Sequence, residues 1–182
     1  MNTTNVGPKV IIFDVYGTIL KSDAPDYTVR DGFRELISYY SKAIIVAFSD
    51  ASEDVVGSDL VVAEIINKFD VFYSERNCIQ KHVLMLDNKD RLQKLGLDSE
   101  NQEIKDLEQV ARDFDVSLND LVFIGDNKTN KDKESAIYHG VNFIQVPQYR
   151  EKMPNERAII INGPDVFYKP VDFSFKSLIG KL

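Results

Sequence analysis

Four polar residues stand where apolar runs end or are about to begin: Asp14 after VIIF, Ser49 after AIIVAF, Asp126 after LVFIG, and Lys105 ahead of that last run. Any one of them alone is ordinary, since an aspartate suits a turn, a serine caps a helix and a lysine is commonly solvated. Together they describe chemistry. Two carboxylates at the ends of two strands repel unless a cation lies between them, and hard oxygen ligands select Mg2+. A carboxylate such as Asp14 can attack phosphorus, dividing phosphoryl transfer into formation and hydrolysis of an aspartyl phosphate. Gly17 lets backbone N–H groups turn toward an anion, the hydroxyls of Thr18 and Ser49 donate to phosphate oxygens, and Lys105 neutralises the charge that gathers. The reaction class is Mg2+-dependent phosphoryl transfer on a phosphorylated substrate.

Positioning these residues calls for a parallel sheet. Short β-branched runs at 10–15, 43–48, 70–73, 121–125 and 141–146 alternate with helical periodicity at 29–41, 53–67, 103–115 and 131–139. This alternation is the pattern of an α/β, Rossmann-like fold with about five strands flanked by helices. Near-continuous apolar strands are covered on both faces, and ligands in such sheets sit beyond the carboxyl ends of the strands. Lys105 is expected to open the helix leading into the 121–125 strand, and the piece 78–96 reads equally as a short helix or a hairpin. Residues 1–147 read as the catalytic core. Residues 148–182, with Pro154, Pro164 and Pro170 and the apolar Phe167, Phe173 and Phe175, read as an irregular extension with one edge strand packed back on it.

The motifs resemble those of the haloacid dehalogenase-like (HAD) superfamily: FDVYGTIL is similar to its first motif, VAFSDAS to its second and VFIGDN to its fourth. The resemblance implies a HAD-like phosphatase in which Asp14 is nucleophile and metal ligand. It further implies that the main-chain carbonyl of Tyr16 and the carboxylate of Asp126 bind Mg2+, that Ser49 with its neighbour Asp50 and Asn127 beside Asp126 contact phosphate, and that Lys105, 21 residues before Asp126, is the third-motif lysine. Asp132 matches the supporting acid, with one residue more than the family spacing between Asn127 and Asp132. A fainter likeness, through FSDAS, YSERNC and IKDLEQ, is to the small phosphatases acting on the RNA polymerase C-terminal domain, which would bring Arg76 near the site.

Tyr16 departs from the pattern, because a phosphatase of this type carries a second aspartate there to protonate the leaving alkoxide. A phenol is a weaker acid than a carboxyl group by roughly six pKa units. Activity is expected to favour substrates with good leaving groups, such as aryl or acyl phosphates, or to borrow an acid from Asp50 or Asp23. A tyrosine at this position is also similar to the dehalogenases of the superfamily, but the 35 positions from Asp14 to Ser49 leave no room for their cap, and Asp126 is retained. A large inserted cap is therefore not expected. Two other functions fit the same features: a binding protein on a catalytically impaired HAD scaffold, and a nucleic-acid 3′-phosphatase.

A net charge of −7 argues against binding nucleic acid through the whole surface, and the six basic against four acidic residues from Arg150 onward read as a solvated tail. The single cysteine, Cys78, and two distant histidines, His82 and His139, exclude an internal disulfide and a zinc site of the usual spacing. No apolar run approaches the ~20 residues of a membrane span, and the first residues, MNTTNVGPK, lack the features of a signal peptide, so a cytoplasmic protein is expected. Oligomeric state carries no signature.

Overall fold

The computed structural model describes residues 7–21, 27–74, 79–81, 93–97, 103–150 and 173–182. Its strands are β1 (Val10–Phe13), β2 (Ile44–Phe48), β3 (Val71–Tyr73), β4 (Ile79–Lys81), β5 (Glu103–Lys105), β6 (Leu121–Gly125) and β7 (Asn142–Gln145). Its α-helices are α1 (Phe33–Tyr39), α2 (Glu53–Val62), α3 (Leu107–Asp113) and α4 (Lys131–His139). Five strands form one parallel sheet in the order β3-β2-β1-β6-β7. The chain builds outward from β1 to one side, then returns to build outward on the other. The topological switch point thus falls between β1 and β6, and the carboxyl ends of the strands there are where ligands of such sheets bind.

Alternation along β1 assigns its side chains to two cores. Ile11 and Phe13 pack with Phe33, Leu36 and Ile37 of α1 and Val56 and Leu60 of α2; Val10 and Ile12 pack with Leu107 and Val110 of α3 and Ala136 of α4. All four β1 residues are buried, as expected of a strand covered on both faces. The last described segment belongs to the first core. Phe175 meets Phe13 edge-on at 5.7 Å, Phe33 meets Phe13 at 5.2 Å, and Phe173 and Leu178 complete the cluster. Residues 175–178 form a 3-10 turn, and 173–182 contain no strand.

The α/β architecture expected from the sequence is the one observed, with differences at particular ends. The first strand stops at Phe13, two residues short of 10–15, because the chain turns there, with the Ile19 and Leu20 N–H groups both bonded to Val15 O. Helix α1 starts at Phe33 rather than near 29: Leu20 and Val29 form a β-bridge, and Gly32 takes a left-handed φ of 78°. Helix α2 ends at Val62, and Glu64 at φ 56° separates it from a 3-10 turn at Ile66–Lys68. The larger correction concerns Lys105. It does not open a helix but ends β5, which pairs antiparallel with β4 in a separate two-stranded sheet, and Asp106 caps α3 by accepting from the Gln109 N–H at 2.9 Å. The rest of the 78–96 piece beyond β4 and residues 93–96, the expected edge strand within 151–172, and Asp23, Arg76, Cys78 and His82 lie outside the described residues. No described helix is long and apolar enough to cross a membrane.

Candidate active site

The sheet register brings two carboxylates to the same edge. Phe13 pairs with Ile124, and the Asp14 N–H continues the ladder to the Ile124 carbonyl at 2.9 Å, so Asp14 and Asp126 emerge from adjacent strands at the switch point. A third carboxylate, Asp132, arrives from the first turn of α4. The three are buried, and each offers an oxygen within 4.8 Å of the others.

Lys105 reaches this cluster from β5. Its ammonium donates to Asp14 Oδ1 at 2.9 Å, Asp132 Oδ1 at 2.7 Å and the Phe48 carbonyl at 3.1 Å, and it lies over the rings of Phe48 and Phe123. The residue is 1% exposed. Burial works against its charge, but Asp132 and Asp14 outweigh that and hold it above the ordinary lysine range. The hairpin that carries it is tied to α4 where the Lys105 N–H donates to Ser135 Oγ at 2.8 Å.

One ammonium among three carboxylates leaves the cluster short of positive charge, and the carboxylates register the deficit. Burial, with Asp132 adding to it, pushes Asp14 up to about 8 against the pull of Lys105. Burial, again with Asp132, pushes Asp126 up to about 6, even though its Oδ1 accepts the Lys128 N–H at 3.0 Å. The other oxygen, Asp126 Oδ2, is buried with no hydrogen-bond partner. A buried carboxylate oxygen without a donor is costly, and it sits among acceptors of the hard, oxygen-only type that suits Mg2+. The residues present therefore fit a divalent cation held by Asp14, Asp126 and Asp132.

Two glycines make this approach possible. A Cβ on Gly125 would strike the Asp132 carboxylate, and one on Gly17, whose φ is 80°, would strike Asp126 Oδ2. Gly17 and Thr18 thus do something other than present N–H groups to an anion. The Gly17 N–H donates to Leu20 O at 2.7 Å and the Thr18 N–H to Val15 O at 3.4 Å, within their own loop. The Thr18 hydroxyl donates to Asp14 Oδ2 at 3.0 Å while accepting the Asp126 N–H at 2.9 Å, pinning the two strand ends to each other.

The remaining expected residues take these positions. Ser49 is buried after β2 and accepts the Ala51 N–H at 3.2 Å, which leaves its own proton for an anion. Asp50 is ion-paired with Lys131 at 3.2 Å; against the effect of burial, Lys105 and Lys131 hold it below the ordinary carboxylate value. Asn127, at φ 58°, organises the turn into α4: its side chain accepts the Lys133 N–H at 3.0 Å and donates to Asn130 Oδ1 at 3.3 Å. Asn130, which opens α4, is left-handed as well, at φ 62°. Tyr16 turns to α2, donating its phenol proton to Asp59 Oδ2 at 2.6 Å; burial and this bond hold the phenol above its ordinary pKa.

Sequence reasoning missed Arg30, Asp59 and Tyr149. Arg30 is 3% exposed and donates from one guanidinium nitrogen to Pro147 O at 2.6 Å and Thr18 O at 3.3 Å, with its plane 4.5 Å from the Phe173 ring centroid. Burial lowers its pKa to about 10. The Tyr149 N–H bonds to Gly17 O at 2.5 Å, so the chain after β7 is fastened to the loop after β1 at both Gly17 and Thr18.

No family model and no curated protein matches the chain. Solved structures do match its fold. A HAD-superfamily hydrolase of subfamily IA, variant 1, from Geobacter sulfurreducens aligns over 78% of this chain and 89% of its own, with a TM-score of 0.54 and 14% identity. A predicted phosphoglycolate phosphatase from Haemophilus somnus aligns over 80% and 88%, with a TM-score of 0.52 and 11% identity. The N-terminal part of a Bacteroides fragilis protein, containing a phosphatase domain complexed with Mg, aligns over 78% of this chain and 36% of its own, with a TM-score of 0.51 and 16% identity. The fold is that of HAD-superfamily structures.

Proposed function

We propose that the chain is a Mg2+-dependent phosphohydrolase that acts on phosphomonoesters through an aspartyl phosphate on Asp14. The observation that carries the reading is the buried Asp14–Lys105–Asp132 ion cluster beside the donorless Asp126 Oδ2, at the switch point of the sheet. HAD-superfamily phosphatases among the structures sharing this fold support it.

In this reading Asp14 attacks phosphorus with one carboxylate oxygen. Lys105 and the Thr18 hydroxyl fix the plane of that carboxylate, one contact on each oxygen, which confines its approach. Lys105 also offsets negative charge as the phosphoryl group arrives, in a site screened from water where such an ammonium acts strongly. Ser49 donates to a phosphoryl oxygen. Asp126 and Asp132, with the main-chain carbonyl of Tyr16 as the sequence resemblance implies, would hold Mg2+ together with Asp14. When bound, Mg2+ supplies Lewis-acid polarisation of the phosphoryl group and cancels the charge deficit of the cluster.

The test is phosphate release from a panel of phosphomonoesters with Mg2+, after chelation, and with Asp14→Asn. Release that needs Mg2+ and is lost in Asp14→Asn is expected. Release surviving both treatments would end the reading. A second reading, a binding protein on the same scaffold, is favoured by one observation: the tyrosine at position 16 spends its only proton on Asp59. It expects no release from any substrate, even with Mg2+ present.

A further inference from the structure

The position that, by the sequence resemblance, exchanges protons with the leaving group and with water is occupied by Tyr16, and its phenol proton already belongs to Asp59, 2.6 Å away on α2. None of the cluster carboxylates accepts it. We propose that the aspartyl phosphate formed on Asp14 is long-lived, and that the protein takes a phosphoryl group from an acyl or aryl phosphate and holds it rather than passing it promptly to water. This rests on the reading of Asp14 as nucleophile.

The two half-reactions make different demands. In the first, an Asp14 oxygen forms a bond to phosphorus as the bond from phosphorus to the leaving oxygen breaks. With an acyl or aryl phosphate the electron pair departs on a carboxylate or phenolate, which needs no proton. The missing acid therefore costs this step little. In the second, the water oxygen bonds to phosphorus, the bond from phosphorus to Asp14 breaks and the carboxylate is restored. The water must also lose a proton. The group that protonates an alkoxide in the first half is the group that receives this proton in the second.

Neither Tyr16 nor Lys105 is free to receive it. A neutral phenol donating to a carboxylate is not a base, and Lys105 is an ammonium with its protons shared among Asp14, Asp132 and the Phe48 carbonyl. Asp50 is ion-paired with Lys131, and Asp14, Asp126 and Asp132 are the carboxylates that would hold the metal. Among the described residues, formation of the phosphoprotein is supported while its hydrolysis is not.

The full chain, incubated with acetyl phosphate and Mg2+ and then freed of donor, is followed by intact mass. The wild type is expected to gain one phosphoryl group, mapped to the peptide containing Asp14, and to lose it slowly; Asp14→Asn gains none. Tyr16→Asp is expected to lose the group roughly 10²-fold faster while releasing phosphate. The double variant Tyr16→Asp/Asp59→Asn removes the repulsion that a new carboxylate would meet on α2 and repeats the test if the single variant folds poorly. Steady phosphate release by the wild type with no phosphorylated species overturns the inference, and its loss in Asp59→Asn would identify a Tyr16–Asp59 proton relay instead. No adduct on the wild type, with turnover by Tyr16→Asp, overturns it while leaving Asp14 as nucleophile. If no variant accepts or releases phosphate, the nucleophile assignment itself fails.

Discussion

The Lys105 ammonium lies 2.9 Å from Asp14 Oδ1, across 91 residues of chain, and in the same position 2.7 Å from Asp132 Oδ1. The small two-stranded sheet outside the main one thus supplies, among the described residues, the only ammonium in contact with the two buried acids. Removing one partner of a buried ion pair leaves uncompensated charge and costs about 3–5 kcal/mol. Lys105→Met is expected to lose stability on that scale in urea unfolding, and Mg2+ is expected to recover part of it by taking over the charge.

The carboxylates give the cluster a pH signature. Asp14 at about 8 and Asp126 at about 6 bind protons more tightly folded than unfolded, where the ordinary value is 3.8. Between the unfolded and folded values the native state holds more protons, so this contribution to stability is complete below the unfolded value and is lost as pH rises through about 6 and then about 8. The unfolding temperature of metal-free protein should fall across that window. Mg2+ binds the ionised forms, so the stabilisation it adds should grow with pH. Asp14→Asn/Asp126→Asn should flatten the metal-free profile.

How much of this was legible in the chain follows from where each signal lies. Asp14, Ser49 and Asp126 announce themselves because each ends a continuous apolar run, and a buried parallel strand is local in sequence. Helix α4 matches its expected limits of 131–139, since its polar start and Gly140 stop are both local. Lys105 reads as helical in the sequence because EIK is too short to show strand periodicity, and its partner, residues 79–81, is a distant segment joined only by the fold. Arg30 reads as an ordinary surface charge, because the backbone carbonyls and rings that surround it leave no mark in the spacing. The clearance that Gly17 gives Asp126 leaves no mark in the sequence, because it exists only once β1 and β6 are adjacent.

Gly17 offers a direct check of that clearance. Alanine at φ 80° is strained, and its methyl group would displace the Asp126 carboxylate. Gly17→Ala is expected to keep its circular dichroism spectrum while weakening Mg2+ binding roughly 10- to 100-fold by calorimetry, the range seen when support around a metal ligand is lost.

Arg30 couples the last described segment to the site loops. Arg30→Leu removes the donors to Thr18 O and Pro147 O and the cation over Phe173, and should cost about 2–3 kcal/mol. Hydrogen exchange is expected to accelerate at the Phe175 N–H, which bonds to Asp31 O beside it, and at the Tyr149 N–H.

The most direct measurement is the pre-steady-state release of p-nitrophenolate from p-nitrophenyl phosphate with Mg2+, comparing wild type with folded Asp14→Asn. This leaving group departs without a proton, so the absence of an acid at position 16 does not mask the chemistry at Asp14. A burst close to one equivalent per chain, absent without Mg2+ and absent in Asp14→Asn, is the expected result. Release by Asp14→Asn at the wild-type rate would contradict the account.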